Sequence, residues 1–173
     1  LLWRFCYEGE RRLWLWLALL VLPLPLLQTH SALALVLLCL VSGLYTLTQG
    51  ARKETLLPWL GLAAVCGAAW LFQMLPTVLA QSLNGQQMLR LHFNWINGRN
   101  DGTLKDSYLW FYIKNIGLVY LLLIPAFVHA MPKQRWLYGG GLAILALAEF
   151  VVFQPNNYDN NKLLYVWHML GCV

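Results

Sequence analysis

Long apolar stretches separated by short polar connections run along most of the chain. About 20 consecutive apolar residues cross a bilayer as a helix, and five stretches meet or nearly meet that length. The pattern therefore predicts an all-α protein, a polytopic transmembrane helical bundle with five full spans and the start of a sixth. The predicted spans cover approximately residues 13–28, 31–48, 55–80, 108–130 and 136–153, with 163–173 incomplete.

We expect residues 1–173 to form a single transmembrane domain and to be a fragment of a longer protein. The chain opens on Leu1 rather than Met and closes a few residues into a new apolar run. No small-residue cleavage site follows the run that starts at Leu13, so this run is predicted to stay in the membrane and not to be a cleaved signal peptide. Pro23 and Pro25 predict a kink or an early end of this first span.

The composition is typical of the membrane class. Of the 173 residues, 60% are hydrophobic and 11% are charged, and the mean hydropathy is +0.56. A soluble domain of this length does not need so much apolar surface. The net charge of +5 comes from Lys and Arg residues scattered between apolar runs, so membrane lipids are the expected partners and no nucleic acid is expected.

The distribution of Lys and Arg predicts the orientation of the spans, because cytoplasmic connections carry an excess of these residues. One side collects seven of them and the other collects four, with Lys114 left inside the fourth span. The amino terminus is therefore predicted to be cytoplasmic, and loops 81–107 and 154–162 to share the outer side of an integral membrane protein. The seven are Arg4, Arg11, Arg12, Arg52, Lys53, Lys133 and Arg135, and the four are Arg90, Arg99, Lys105 and Lys162.

Loop 81–107 is longer than the about 12 to 15 residues beyond which a connection is usually functional or disordered. Its aromatic and aliphatic side chains favour an ordered segment that lies along the membrane surface. Asp101 and Asp106 stand beside Arg99 and Lys105 in this loop. These carboxylates either supply further ligands to a site or belong to solvated turns.

Two ionisable residues fall inside predicted spans, Lys114 in the fourth and Glu149 in the fifth. A charge at the centre of a bilayer costs roughly 2.5 to 3.5 kcal/mol on the insertion scale. Both residues are predicted to lie at a similar depth, so we expect them to share one outer polar pocket and to pair directly or through Asn115. The alternative is that Lys114 extends to the surface and Glu149 is neutral and hydrogen-bonded to a neighbouring helix.

After the fifth span, a cluster of amides surrounds one carboxylate. Asn156, Asp159, Asn160 and Lys162 are candidates for a site that binds a phosphate, a sugar or a divalent metal, since carboxylate and amide oxygens are hard ligands. The alternative is a turn followed by a helix start, with Asn160 or Asn161 as the cap. No cofactor is assigned beyond the divalent cation that such a cluster could bind, and no metal site is predicted.

The cysteines and histidines point to no further site. Cys6, Cys39, Cys66 and Cys172 have no CxxC spacing and are predicted to be small core residues. No two histidines have the spacing of metal ligands, and His92 is of interest only because it faces the proposed outer site. Motifs of serine nucleophiles, zinc hydrolases and phosphate-binding loops are absent, so soluble hydrolase or nucleotide-binding chemistry has no support.

Three segments, taken in order, resemble a family of large bacterial polytopic membrane proteins. The segments are HFNWING, LWFYIKNIGLVYLLLIPAF and FQPNNYDNNKLLYVW, and the resemblance covers roughly residues 55–173. The family is often labelled 6-pyruvoyl-tetrahydropterin synthase-related and resembles GT-C glycosyltransferases. Lys114, Asn115 and Gly117 match its Lys-Asn-x-Gly step. Its outer loop of the form QPWDWDNTK is matched by Gln154, Pro155, Asp159, Asn160 and Lys162.

The chain also departs from this family. Asn156 and Asn157 stand where the family tends to have Trp and Asp, and Asn161 replaces Thr, so part of an acidic pair is missing. The resemblance implies that an outer-face carboxylate in the first outer loop activates the acceptor, while a polyprenyl-phosphate sugar is the donor. That loop is not visible in this sequence, and the catalytic residues stay unassigned.

The resemblance implies that the chain is part of a GT-C-like integral membrane glycosyltransferase of the bacterial inner membrane. Lys114 or Lys162 would bind the phosphate of the lipid-linked donor, and asparagine side chains would bind sugar hydroxyls. Further partners would be the remainder of the same protein or other membrane subunits. Two alternatives are a transporter or binding protein with a Lys114–Glu149 polar pocket, and a structural subunit of a membrane complex. The candidate substrate-binding residues are Lys114, Asn115, Glu149, Asn156, Asp159, Asn160 and Lys162.

Overall fold

The computed structural model describes residues 1–50, 52–84, 89–99, 101–153 and 157–172, with side chains in the last range from residue 161 onward. The described chain is all-α apart from one small sheet, as predicted. It divides into two compact units, Leu1–Gly85 and Gln86–Val173. That all 173 residues form a single transmembrane domain stays a prediction.

The described residues of the first unit form five helices and one 3₁₀ turn. They are α1 (Leu2–Tyr7), the turn Arg11–Leu13, α2 (Trp14–Val21), α3 (Leu24–Leu27), α4 (Thr29–Thr48) and α5 (Lys53–Leu83).

The second unit combines four helices, two short strands and a 3₁₀ turn in its described residues. They are β1 (Arg90–Leu91), the turn Trp95–Asn97, α6 (Tyr108–Ile116), α7 (Leu118–His129), α8 (Pro132–Phe150), β2 (Val151–Val152) and α9 (Asn157–Gly171). The strands β1 and β2 pair antiparallel, with Arg90 opposite Val152 and Leu91 opposite Val151.

In the described part of the chain, two helices are long and apolar enough to cross a membrane. They are α4, with a mean hydropathy of 2.0, and α5, with 1.7, and they correspond to the second and third predicted spans. A third span is present if α6 and α7 are counted as one bent helix pair. The prediction of five full spans is therefore wrong.

The first predicted span, 13–28, breaks into the eight residues of α2 and the four of α3. An eight-residue helix is only about 12 Å long. Pro25 has no N–H to donate to the carbonyl of Val21, four residues earlier. The indole Nε1 of Trp70 on α5 donates to that carbonyl instead, at 3.1 Å, and Nε2 of Gln73 donates to the carbonyl of Leu22 at 3.0 Å. The break predicted from the prolines is confirmed.

The fourth predicted span, 108–130, bends by 98° where α6 meets α7. Gly117 lies at this break with φ 76° and ψ −149°, a region that essentially only glycine occupies. The local sequence pattern of apolar residues continues across this position, so hydropathy alone did not predict the bend.

The fifth predicted span, 136–153, is also wrong as a full span. Helix α8 ends at Phe150, and its first turn carries Lys133 and Arg135. The apolar part from Trp136 to the helix end is shorter than a bilayer requires. Residues Val151–Val152 leave the helix because they pair with β1.

Helix α9 starts at Asn157, within the predicted loop 154–162. Residues 157–162 are therefore helical, and the predicted outer loop is shorter than expected. Asn160 and Asn161 lie inside α9, so the alternative that one of them caps this helix is wrong. The sidedness of both predicted loops stays a prediction.

In the predicted loop 81–107, residues 81–83 belong to α5, and the described segment 89–99 is held by hydrogen bonds. Between Arg90 and Trp95 it runs antiparallel to the end of α8 and donates hydrogen bonds to three carbonyls there. Nε1 of Trp95 donates to Ala148 at 2.6 Å, and the main-chain N–H groups of Asn94 and His92 donate to Glu149 and Phe150 at 3.2 and 3.0 Å. These bonds satisfy carbonyls that the end of a helix leaves without partners.

Candidate anion-binding site

A hairpin in the second unit, described at residues 97–99 and 101–106, is held in place by one buried asparagine. Asn97 is 0% exposed, its Nδ2 donates to the carbonyl of Asp106 at 2.7 Å, and its Oδ1 accepts from the Asp106 N–H at 3.1 Å. The Lys105 N–H donates to the Asn97 carbonyl at 2.8 Å. The side chain of Asn97 therefore fixes the position of Asp106 just before the start of α6.

At the tip of this hairpin, Asp101 forms a solvated turn. Its Oδ1 accepts hydrogen bonds from the N–H and the hydroxyl of Thr103 at 2.9 and 2.7 Å, and Gly102 has the positive φ of 81° that this tight turn requires. These hydrogen bonds lower the pKa of the Asp101 carboxyl. The alternative of a solvated turn is thus confirmed for Asp101, because its carboxylate binds Thr103 two residues later.

Asp106 has a different role, because it pairs with Lys114. Nζ of Lys114 lies 2.7 Å from Oδ2 of Asp106, and the side chains are 54% and 18% exposed. Lys114 is in the last turn of α6, whereas Asp106 precedes the first residue of that helix. The ion pair therefore joins the hairpin base to α6.

The predicted pairing of Lys114 with Glu149 is wrong. Glu149 is 3% exposed, and neither of its carboxylate oxygens has a hydrogen-bond partner among the described residues. Asn115 does not bridge the two, since its Nδ2 donates to the carbonyl of Phe111 at 2.7 Å. The physical reason is that Lys114 reaches the partly exposed hairpin while Glu149 faces the interior of the unit.

A cavity of about 720 Å³ surrounds Lys114 in the second unit. Three cationic side chains and one carboxylate border it, so its charge is net positive at neutral pH. The polar and charged lining residues are Arg99, Lys105, Asp106, Lys114, Asn115, Asn161 and His168.

The remaining wall of the cavity is aromatic and aliphatic. Trp95, Phe111 and Tyr112 are buried, and Tyr165 on α9 is exposed at 64%. The ring of Tyr112 stacks on that of Tyr120 at 5.2 Å and meets the ring of Trp167 edge-on at 6.1 Å. The polar groups of the cavity thus stand beside an apolar, aromatic wall, a combination typical of small-molecule sites.

Helix α9 contributes one face to the cavity, with Asn161, Leu164, Tyr165 and His168 at successive turn positions. This i, i+3, i+4, i+7 spacing is a helical face. This spacing is visible in the sequence, but the predicted loop extends to residue 162, and neither Asn161 nor His168 is among the predicted site residues.

The structure brings together some of the predicted site residues and separates others. Lys114 and Asn115 line the cavity, and Glu149 does not. Asn156 and the side chains of Asp159 and Asn160 lie outside the described part of the chain, so their predicted roles are untested. Lys162 is on α9, one position after the lining residue Asn161.

The described residues contain no group of three or more His, Cys, Asp or Glu side chains that could hold a metal ion. All four cysteines have free thiols. Among the histidines, His168 borders the cavity, and its Nε2 lies 3.8 Å from Sγ of Cys172. Because Arg99, Lys105 and Lys114 border the cavity, it is suited to binding an anion.

No protein-family model, curated protein or solved structure matches this chain.

Proposed function

We propose that the chain is part of a GT-C-like integral membrane glycosyltransferase and that the cavity around Lys114 binds its polyprenyl-phosphate sugar donor. The observation that carries this proposal is the composition of the cavity, in which cations, amides and aromatic rings border one space of about 720 Å³. In such a wall the cations can bind a phosphate, the amides can bind a sugar, and the aromatic rings can contact an apolar lipid chain.

The cationic groups support binding of the donor phosphate. Lys114, Lys105 and Arg99 border the cavity, and charge-assisted hydrogen bonds from such groups to phosphate oxygens are about twice as strong as neutral ones. The ammonium group of Lys114 has three donors, so it can bind a phosphate oxygen while it contacts Asp106. The phosphate is therefore expected to bind next to the Lys114–Asp106 pair.

The amide and aromatic groups support binding of the sugar. Oδ1 of Asn161 is buried and has no donor among the described residues, so it can accept a hydrogen bond from a sugar hydroxyl. The exposed ring of Tyr165 lies one turn further along the same face of α9. An aromatic ring offers the apolar face of a sugar a flat contact surface, and Asn161 then fixes its orientation.

The first unit supports the membrane part of the proposal, because α4 and α5 are long and apolar enough to cross a bilayer. A lipid-linked donor is delivered within the membrane, so an enzyme that uses it needs membrane-embedded helices. The described residues assign no catalytic base. In this proposal the base lies elsewhere in the full-length protein.

A second candidate function is the transport of an anion, and one observation favours it. The helix pair α6 and α7 is broken at Gly117 with a bend of 98°, immediately after the cavity residues Lys114, Asn115 and Ile116. Discontinuous helices at a binding site are typical of secondary transporters. In this candidate function the anion binds at the Lys114–Asp106 pair, because Lys114 and Glu149 do not form a common pocket.

Lipid extraction and mass spectrometry of the purified full-length protein test the proposal. We expect a polyprenyl-phosphate species to copurify with the wild type and to be lost or strongly reduced in Lys114→Ala and Asn161→Ala. Lys133→Ala is the matched control, because Lys133 is an exposed lysine in the first turn of α8 and is not part of the cavity wall. Asp159→Asn tests the cluster predicted from the sequence.

Equal lipid binding by the wild type, Lys114→Ala and Asn161→Ala would contradict the proposal, as would the absence of any such lipid. Uptake of an anion into vesicles that depends on Lys114, without sugar transfer from a lipid donor, would favour the transport function.

A further inference from the structure

Glu149 and Asn94 carry three buried acceptor oxygens in the second unit. Their side chains are 3% and 5% exposed. Oε1 and Oε2 of Glu149 and Oδ1 of Asn94 have no hydrogen-bond donor among the described residues. Buried polar atoms are nearly always paired, so these three oxygens are available to a ligand that supplies positive charge or hydrogen-bond donors.

The two residues are neighbours because of the main-chain pairing at the end of α8. The N–H of Asn94 donates to the carbonyl of Glu149 at 3.2 Å, and Nε1 of Trp95 donates to the carbonyl of Ala148 at 2.6 Å. Asn94 has a left-handed backbone conformation with φ 56° and ψ 29°, which asparagine tolerates better than most residues. The main-chain hydrogen bond therefore places the backbones of Asn94 and Glu149 side by side.

Glu149 has no cationic partner among the described residues. The ion pairs of those residues involve Glu8, Glu10 and Asp106, and none includes Glu149. Glu149 is also the penultimate residue of the 19-residue helix α8, where the helix dipole adds negative potential. A buried carboxylate without a partner is costly, so a cation would stabilise the folded unit here.

We propose that Glu149 and Asn94 form a binding site for a monovalent metal cation such as Na⁺, separate from the cavity around Lys114. Carboxylate and amide oxygens are hard ligands that suit a hard cation, and one carboxylate balances one positive charge. Neither residue lines the anion cavity. The inference therefore does not depend on the proposed glycosyltransferase function.

Thermal unfolding of the full-length protein in detergent tests this site. NaCl replaces choline chloride at constant ionic strength and at a fixed pH above 7, so that the carboxyl is ionised. We expect the unfolding temperature of the wild type to rise with NaCl concentration and to reach a plateau, because a ligand that binds only the folded state stabilises it. Glu149→Gln is expected to abolish this rise.

Glu54→Gln is the matched control, because it removes the same charge from an exposed residue in the first turn of α5 and should keep the Na⁺ response. Asn94→Gly keeps the left-handed backbone conformation and removes the amide oxygen, so it should shift the Na⁺ response to higher concentrations. If Glu149→Gln does not fold, Asn94→Gly still tests the site.

Three results would overturn the proposal: a wild-type unfolding temperature that does not depend on NaCl, a response retained in Glu149→Gln, or a response in Asn94→Gly equal to that of the wild type. In the first case, the carboxyl of Glu149 is neutralised by a proton alone.

Discussion

Nζ of Lys114 lies 2.7 Å from Oδ2 of Asp106, and both residues border the cavity proposed to bind the donor phosphate. The carboxylate of Asp106 therefore occupies one of the positions that a phosphate oxygen would take beside Lys114. Because the lysine side chain is 54% exposed, the pair contributes at most about 1 kcal/mol to folding. Its larger effect is expected on ligand affinity.

Replacement of Asp106 by Asn should strengthen binding of a short-chain prenyl phosphate, because it removes a negative charge that competes for Lys114. We expect an increase in affinity of up to about tenfold, which corresponds to roughly 1.4 kcal/mol, and a loss of affinity in Lys114→Gln. Isothermal titration calorimetry on the full-length protein measures both. Asp101→Asn is the control, since it removes a nearby carboxylate that contacts Thr103. Weaker binding by Asp106→Asn than by the wild type would contradict this role.

Replacement of Asn97 by Ala should destabilise the hairpin between residues 97 and 106. The change removes two hydrogen bonds to Asp106 from a side chain that is 0% exposed, and the expected cost is about 2 to 3 kcal/mol. Limited trypsin digestion should then cut faster at Arg99 and Lys105. Thr103→Ala, an exposed change in the same hairpin, is the control and should have less effect. Unchanged cleavage rates in Asn97→Ala would show that the hairpin does not depend on this residue.

Replacement of Gly117 by Ala should destabilise the bend between α6 and α7. A side chain at φ 76° and ψ −149° is strained by about 1 to 3 kcal/mol, and no neighbouring atom lies within 4 Å of the added Cβ, so the cost comes from the backbone alone. Gly67→Ala is a matched control. It lies inside α5 with equally open space around it and should be neutral or slightly stabilising. Equal unfolding temperatures for the two variants would argue against a strained bend.

Glu149 should make the stability of the protein depend on pH when Na⁺ is absent. Burial raises the pKa of its carboxyl from 4.5 to about 7, because α8 holds it away from solvent. The unfolded state ionises this carboxyl near pH 4.5, whereas the folded state resists ionisation up to about pH 7. The free energy of unfolding is therefore highest below pH 4.5 and falls as the pH rises through 7. The loss is on the order of 3 kcal/mol.

Thermal unfolding in choline chloride across this pH range measures the effect. Glu149→Gln should remove that part of the pH dependence, and Glu54→Gln should keep it. A pH profile of Glu149→Gln that follows the wild type would show that other groups cause the dependence.

Local sequence signals predicted the parts of the fold that depend on neighbouring residues alone. Helix α4 and helix α5 match the second and third apolar runs, because each run is long enough to form a continuous helix without tertiary help. The break near Pro23 and Pro25 was also predictable, since proline lacks the N–H that the helix needs. The hairpin at Asp101 and Gly102 has the residues that such turns require.

Predictions that required knowledge of partners in space were less successful. The sequence predicts a pair of Lys114 and Glu149, because both are charged residues within apolar runs. In the structure Lys114 pairs with Asp106, and Asn97 holds Asp106 in place. Asn161 and His168 were missed because their role depends on α9 starting at Asn157.

The sequence by itself determined the helical class, the two longest apolar helices and the proline break, because composition and periodicity fix local conformation and the tendency to enter a membrane. Only the tertiary structure decided that α6 and α7 meet at 98° and that the segment up to Trp95 pairs with the end of α8. These features depend on contacts between residues up to 62 positions apart, as in the pairing of Arg90 with Val152. No periodicity in the sequence encodes such distant pairs, because they form only when the whole unit packs.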